Sequence, residues 1–247
     1  MENGGESCDR ACKLVPALVI GFGLMLGGFF PGYYYYKSKT DMNIVTVKGL
    51  AEMDVTADLA VWEIKFTVTS DNLQTAQKEL SSRYQTIYEF LQKQGLKPEE
   101  VSEGRIDTND LMTNPYRDRN VISRYILTQT VLVRSNNVDL VKKAVNATGE
   151  LVAKGVVFDS QSYGSPVSYI FTKLNDIKPQ MLEEATKNAQ AAAEEFAKSS
   201  HSKVGKIRRA SQGVFSILPR EQTANAQEMT QIEKKVRVVS TIEYYIN

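Results

Sequence analysis

The sequence predicts an α+β fold of mostly antiparallel sheets, preceded by one N-terminal transmembrane helix. Three observations carry that expectation. An uncharged run over residues 14–30 leads into four consecutive tyrosines. From residue 43 onward, apolar residues alternate with a period of two and then switch, repeatedly, to a helical period. Neighbouring strands of hairpin type outnumber helical crossovers, which favours antiparallel sheets over a doubly wound parallel one. The element order after the run reads ββαββαββαββ, and the repeat of two strands then a helix suggests split βαβ units of ferredoxin-like character.

Composition bounds the function classes. A chain of 247 residues allows one large domain or two small ones. Lys+Arg 30 against Asp+Glu 29 leave a net charge of +1, which gives no general attraction for nucleic acid. The two cysteines, Cys8 and Cys12, both lie near the N-terminus, so the body of the chain has no disulfide framework and no cysteine-based zinc site. The single histidine, His201, excludes any site that needs two. No metal and no cofactor is expected.

Residues 1–13 read as a short tail and residues 14–36 as a signal anchor. The segment LVPALVIGFGLMLGGFF has 17 residues without a charge. Adding Pro31, Gly32, Tyr33, Tyr34, Tyr35 and Tyr36 extends it to about 34 Å at roughly 1.5 Å per residue, enough to cross a bilayer. Tyrosine suits the lipid–water boundary, where its ring is apolar and its hydroxyl wet. The end of the run, Gly27-Gly28-Phe29-Phe30-Pro31, offers no small-x-small cleavage site, so the anchor is expected to be retained. Arg10 and Lys13 on one flank balance Lys37 and Lys39 on the other, and the positive-inside count ties. The N-terminus is placed inside, because export of the following domain is the simplest use of such an anchor. The main domain is then periplasmic or otherwise extracytoplasmic. Gly23 and Gly27, like Gly28 and Gly32, are spaced for close approach between spanning helices.

The folded domain occupies residues 43–247, with sub-lobes at about 43–155 and 156–247. Residues 44–48 make a first strand. Trp62, Ile64, Phe66 and Val68 alternate with polar residues in a second, and Trp62 belongs to its buried face. Asp71 is placed to cap a helix whose apolar stripe is Leu73, Ala76, Leu80, Tyr84, Ile87 and Leu91, stopped by Gly95. Residues 101–111 and 122–134 are strands, with turn chemistry over 113–120. Asn137 caps a helix carrying Val138, Val141, Val145 and Val152, ended by Gly155. Residues 156–162 and 167–173 pair around Gly164-Ser165-Pro166. Pro179 suits the first turn of a helix with Leu182, Ala185, Ala189, Ala192, Phe196 and Ala197 on one face, alanines that let it lie close to a sheet. Residues 206–218 and 234–246 are closing strands, and the polar stretch 219–231 between them reads as a mobile loop.

Taken in order along the chain, these segments resemble the SIMPL-domain family, which includes YggE-like bacterial periplasmic proteins. The resemblance covers roughly residues 43–247. It rests on Val45-Thr46-Val47-Lys48-Gly49, on Ala57-Asp58-Leu59-Ala60 opening the long second strand, and on Ala76 with Leu80. Further along it rests on Phe171, on Ala185, Ala189 and Ala192 with Phe196-Ala197, and on Val204-Gly205-Lys206-Ile207. Gly49-Leu50-Ala51 stands where the family usually has G-x-G and reads as a less tight turn, and Ala57 replaces the usual proline before Asp58. The resemblance implies an envelope location, an association with oxidative or general stress defence, and in some members homo-oligomeric assembly. It brings no catalytic residues.

A direct search for chemistry agrees. His201 lies between serines just past a helix end, but no G-x-S-x-G elbow accompanies it. Asp107, Asp110, Glu99, Glu100 and Glu103 are acidic clusters without a calcium-loop pattern. No glycine-rich phosphate cradle follows a strand. Lys206, Arg208 and Arg209, with Lys234, Lys235 and Arg237, could form a basic patch but read more simply as solvated strand charges; in a tethered monomer, the alternative to self-assembly, Lys234, Lys235 and Arg237 would guard the sheet edges. Asn146-Ala147-Thr148 is a glycosylation sequon placed inside a helix. The reading is therefore a non-enzymatic, membrane-anchored envelope protein whose partners are the lipid bilayer and further copies of itself. The exposed edges of residues 122–134 and 234–246 are expected to drive that assembly. The alternatives are a ligand- or peptide-binding module and a hydrolase using His201 or a carboxylate cluster.

Overall fold

Thirteen helices and strands follow one another in the computed structural model, which describes residues 21–37, 43–113, 123–159, 167–221, 223 and 226–247. They are α1 (21–37), β1 (Ile44–Thr56), β2 (Leu59–Ser70), α2 (Leu73–Lys93), β3 (Val101–Asp110), β4 (Tyr125–Ser135) and α3 (Val138–Asn146). After these come α4 (Gly149–Ala153), β5 (Val167–Ile170), α5 (Leu174–Ser199), β6 (Val204–Gln212), β7 (Ser216–Pro219) and β8 (Glu233–Ile246). The expected α+β class with antiparallel sheets is what forms.

One four-stranded sheet has the order β3-β4-β2-β5. Each adjacent pair is antiparallel. The chain order β2-α2-β3-β4-α3-β5 in that arrangement is a split βαβ topology, in which β4 inserts between the two strands that α2 connects. The alternation of β2 explains its place in the middle. Trp62, Ile64, Phe66 and Val68 are buried on one face, while Glu63 is exposed. That face packs on Leu80, Ile87 and Leu91 of α2 and on Val138, Val141 and Leu151 of α3 and α4. The second sheet has the order β1-β8-β6, with β7 also on β8.

By contact clustering the chain forms two units. One comprises residues 1–49, 186–212 and 240–247, and the other residues 50–185 and 213–239. In the first, Val47, Ala189, Ala193, Ile242 and Tyr244 form the core, and β6 pairs with residues 240–246 of β8. The second contains the split βαβ sheet and a smaller core of Ala51, Met181, Ala185, Val236 and Val238.

Several local expectations change. Asn72, not Asp71, caps α2: its Oδ1 accepts from the backbone N–H groups of Gln74 and Thr75 at 2.9 and 3.1 Å. Asp71 instead accepts from the backbone of Arg124 at 3.1 Å. Gly95 and Gly155 do end their helices, at φ 96° and 81°, a region open to glycine at little cost. The α3 helix breaks after Asn146, and Val152 is exposed on α4. The first strand continues past Lys48 to Thr56, so Gly49-Leu50-Ala51 is extended chain and not a turn. Alternate burial of Val47, Gly49 and Ala51 explains why: the period of two carries through the glycine.

Residues 156–159 do not pair with β5. Residues 157–159 meet β2 instead, where the Val157 carbonyl accepts from Thr67 and the Asp159 N–H donates to Lys65 around a bridge from Phe158 to Phe66, and β5 pairs with residues 59–62 of the same strand. The expected turn at 164–166 lies outside the described residues, as do 114–120 of the earlier one. Helix α5 begins at Leu174, which puts Pro179 inside the helix and not in its first turn. Its buried stripe is Met181, Ala185, Ala189, Ala193 and Ala197, a strict repeat of four, while Phe196 is exposed. The strand expected over 206–218 is two, β6 and β7, separated at Gly213. A side chain there would strike the carbonyl oxygen of Val239. The stretch 219–231 includes the end of β7 and a short 3₁₀ turn, Glu228–Thr230.

Candidate functional site

The sequence points first to the N-terminal helix. Over residues 21–37, α1 is exposed along its whole length, with Phe22, Leu24, Met25, Phe29 and Phe30 all bare. Phe29 stacks on Tyr33 at 6.0 Å, one helical turn away. Apart from adjoining residues and the surrounding helix backbone, no atom of the described residues lies within 4 Å of where a side chain would begin at Gly23, Gly27, Gly28 or Gly32. Tyr33, Tyr34, Tyr35 and Tyr36 are each exposed. Residues 14–20 of the expected anchor, with Cys8 and Cys12, lie outside the described residues. Among the described residues, no helix is long and apolar enough to cross a membrane.

His201 lies at the end of α5. It takes φ 56° directly after α5, so it serves as the left-handed residue that ends the helix. The neighbouring hydroxyls face backbone: Ser200 Oγ donates to the carbonyl of Phe196 at 2.9 Å, and Ser202 Oγ to that of Ser200. The carboxylates are likewise committed. Glu100 accepts from Ser135 Oγ at 2.6 Å, and Glu103 from Gln129 at 2.7 Å. Asp107 pairs with Arg105 at 2.9 Å, and Asp110 with Arg124 at 2.9 Å. The Arg124 hydrogen bonds, with one from the Met112 backbone, hold the Asp110 carboxyl below its ordinary pKa. No group of three or more candidate metal ligands occurs among the described residues.

The proposed cationic patch is dispersed. Arg208 pairs with Glu243 at 3.2 Å, and Lys235 and Arg237 both reach Glu52 at 3.3 and 3.8 Å. Lys234 is the correction: it guards no edge, because its side chain is fully buried. Its ammonium donates to the carboxylate and the backbone carbonyl of Glu228. Nor do the long strands form edges, since β4 and β8 are interior and the ends of the two sheets are β3, β5, β1 and β6.

Among the depressions formed by described residues of the larger unit are two that Ile232 borders. The first, of about 650 Å³, is bordered by Glu100, which accepts from the Lys97 backbone, and by Asn137, which caps α3. The second has a volume of about 610 Å³. Lys142, Val145 and Asn146 of α3 form one side of it, Tyr169 of β5 lies on it, and Arg220, Glu221 and residues 230–233 also line it. Arg220 is held by Asp54 at 3.6 Å and Glu233 at 3.4 Å. Gln231 and Glu221 exchange two hydrogen bonds that fasten the segment's ends together. Tyr169 is only 8% exposed, yet its hydroxyl has no hydrogen-bond partner among the described residues. Burial pushes its phenol pKa up. The sequence signalled Tyr169 only as an alternate buried position next to Val167, and nothing in it marked the loop that faces it.

Asp58, part of the Ala57-Asp58-Leu59-Ala60 motif, ties the start of β2 to the segment after β5. Its carboxylate accepts from the backbone N–H of Thr172 at 2.6 Å and from Thr172 Oγ1 at 2.7 Å. Burial pushes its pKa up, but these hydrogen bonds outweigh that and leave it below its ordinary value.

What the fold defines is an antiparallel α+β protein of two units, with a split βαβ sheet in the larger one. A family model described as "SIMPL: Protein of unknown function (DUF541)" matches residues 45–244. The chain belongs to the SIMPL family. No curated protein matches it.

Proposed function

We propose that the protein is anchored in a membrane by its N-terminal helix and displays its SIMPL domain on the outer side, where it works by self-association and partner binding and not by catalysis. The observation that carries this reading is the bare apolar surface of α1, continued in sequence by the uncharged residues 14–20. Such surface is favoured in hydrocarbon by about 25 cal/mol per Å², and Tyr33–Tyr36 would then sit at headgroup level. Confinement to one plane raises the effective concentration of copies. The open glycine positions at 23, 27, 28 and 32 permit helix contact within the bilayer. In the domain, β6 is a sheet edge exposed from Lys206 to Gln212, a place where another copy can add a strand. Stress defence, suggested by the family resemblance, is the phenotype to score in a deletion strain.

Alkaline carbonate extraction of native membranes, followed by intact mass, tests the anchor. The protein should remain in the pellet with residues 14–36 present; release into the supernatant, or a mature N-terminus beyond Tyr36, refutes it. Mass photometry of the detergent-extracted protein tests assembly, and a single monomeric species over a wide concentration range refutes that part.

A further inference from the structure

The Tyr169 depression has the makings of a binding site that the anchoring reading does not use. Its volume, about 610 Å³, falls within the ~300–1,000 Å³ span of small-ligand sites. Val145, Val167 and Ile232 supply its apolar lining, and the other lining residues are polar or charged. Arg220 is already compensated by Asp54 and Glu233. Two charges remain without a partner among the described residues, Lys142 and Glu221, and with them two neutral groups, the Asn146 amide and the Tyr169 hydroxyl. The hydroxyl is the telling one. Tyr169 is more than nine-tenths buried, and a buried phenol ordinarily finds a hydrogen-bond partner. Because no buried side-chain oxygen or nitrogen of the described residues is both sealed from solvent and unpaired, this hydroxyl keeps contact with solvent, and Tyr169 lines the depression. A ligand seated there can take its hydrogen bond in place of water.

We propose that the depression binds a zwitterionic ligand of short-peptide size, its carboxylate received by Lys142, Asn146 and Tyr169 and its ammonium by Glu221. An anion alone would leave Glu221 as a repelling charge, and a cation alone would do the same with Lys142. A ligand with both charges and an apolar body between them satisfies each lining group. The raised pKa of the phenol keeps it protonated, hence a donor, at neutral pH.

The test is a saturation-transfer NMR titration of the full chain in detergent with the tripeptide Ala-Val-Ala, in free, N-acetylated and C-amidated forms. The free peptide should saturate, and each cap should weaken it by about tenfold, the worth of one charge-assisted hydrogen bond. Tyr169→Phe and Lys142→Met should each weaken the free peptide and leave the amidated one nearly unchanged. Glu221→Gln should remove the penalty of N-acetylation. Both Tyr169→Phe and Lys142→Met alter groups that hold nothing in the fold, so unchanged Trp62 fluorescence is the expected control. Absence of saturation, equal affinity for free and doubly capped peptide, or wild-type affinity in Tyr169→Phe would each overturn the assignment. Loss of only the C-terminal dependence on capping would replace the zwitterion with a simple cation and equally refute it.

Discussion

Breaking the Lys234–Glu228 pair from its two ends should have unequal consequences. Lys234 is completely buried, whereas the Glu228 side chain keeps 30% of its surface in solvent. In Glu228→Ala the ammonium stays buried with only the Glu228 backbone carbonyl as acceptor. Leaving one member of a buried pair uncompensated costs about 3–5 kcal/mol. The retained carbonyl places this case at the lower end. In Lys234→Met the buried charge vanishes and a side chain of similar length fills its space, while Glu228 turns to water. Such replacements are close to neutral, within roughly 1 kcal/mol. For a chain of this size, each kcal/mol moves the melting temperature by about 2–4 °C. Glu228→Ala should therefore lower it by roughly 6–12 °C and Lys234→Met by no more than about 4 °C. Trp62 is the single tryptophan and is 2% exposed in the same unit, so its fluorescence reports the transition directly. The double variant should resemble Lys234→Met, since the buried charge is gone in both. If Lys234→Met proves as damaging as Glu228→Ala, or if neither matters, the argument from uncompensated charge fails.

Asp58 predicts an acid-sensitive contact. Its folded pKa lies below the unfolded one, so its contribution is full above about pH 4 and disappears as pH falls through the lowered value. The stability difference between the wild type and Asp58→Asn, followed by urea unfolding from pH 6 to pH 2, should shrink over that window; a difference independent of pH would refute the assignment. His201 holds a left-handed conformation that costs a side-chain-bearing residue about 1–2 kcal/mol. His201→Gly should raise the urea midpoint and leave any biological activity intact, and loss of activity without unfolding would revive a catalytic role.

How much could be read beforehand follows from the reach of each signal. The split βαβ sheet was legible because Trp62 to Val68 and the stripe from Ala76 to Leu91 repeat over many residues, and periodicity survives local error. Single-residue boundaries were not. Asp71 and Asn72 are both good caps, and the choice fell to Asn72 because the Arg124 backbone claims Asp71. Pro179 was taken for a helix start because its preference for the first turn is a local rule, but Leu174 and Ile177 have a core to pack on and extend the helix ahead of it. Lys234 was misread for a similar reason. Charge predicts exposure unless a partner is known, and Glu228 lies on a segment with no apolar period. Tyr169 and Glu221 are far apart in sequence, and only the placement of residues 220–221 and 230–233 beside α3 and β5 brings them to one depression.

The smaller unit joins segments far apart in sequence, among them residues 43–49, 186–212 and 240–247. The Ile246 backbone donates to the carbonyl of Asn43 at 2.8 Å, and β8 lies between β1 and β6. During synthesis, residues 43–49 gain their neighbouring strand only when residues 240–247 have been made, almost 200 residues later. At about 5–20 residues per second that is a wait of roughly 10–40 s. A premature stop that removed only residues 240–247 would take the central strand from this unit and leave its opening segment permanently unpaired.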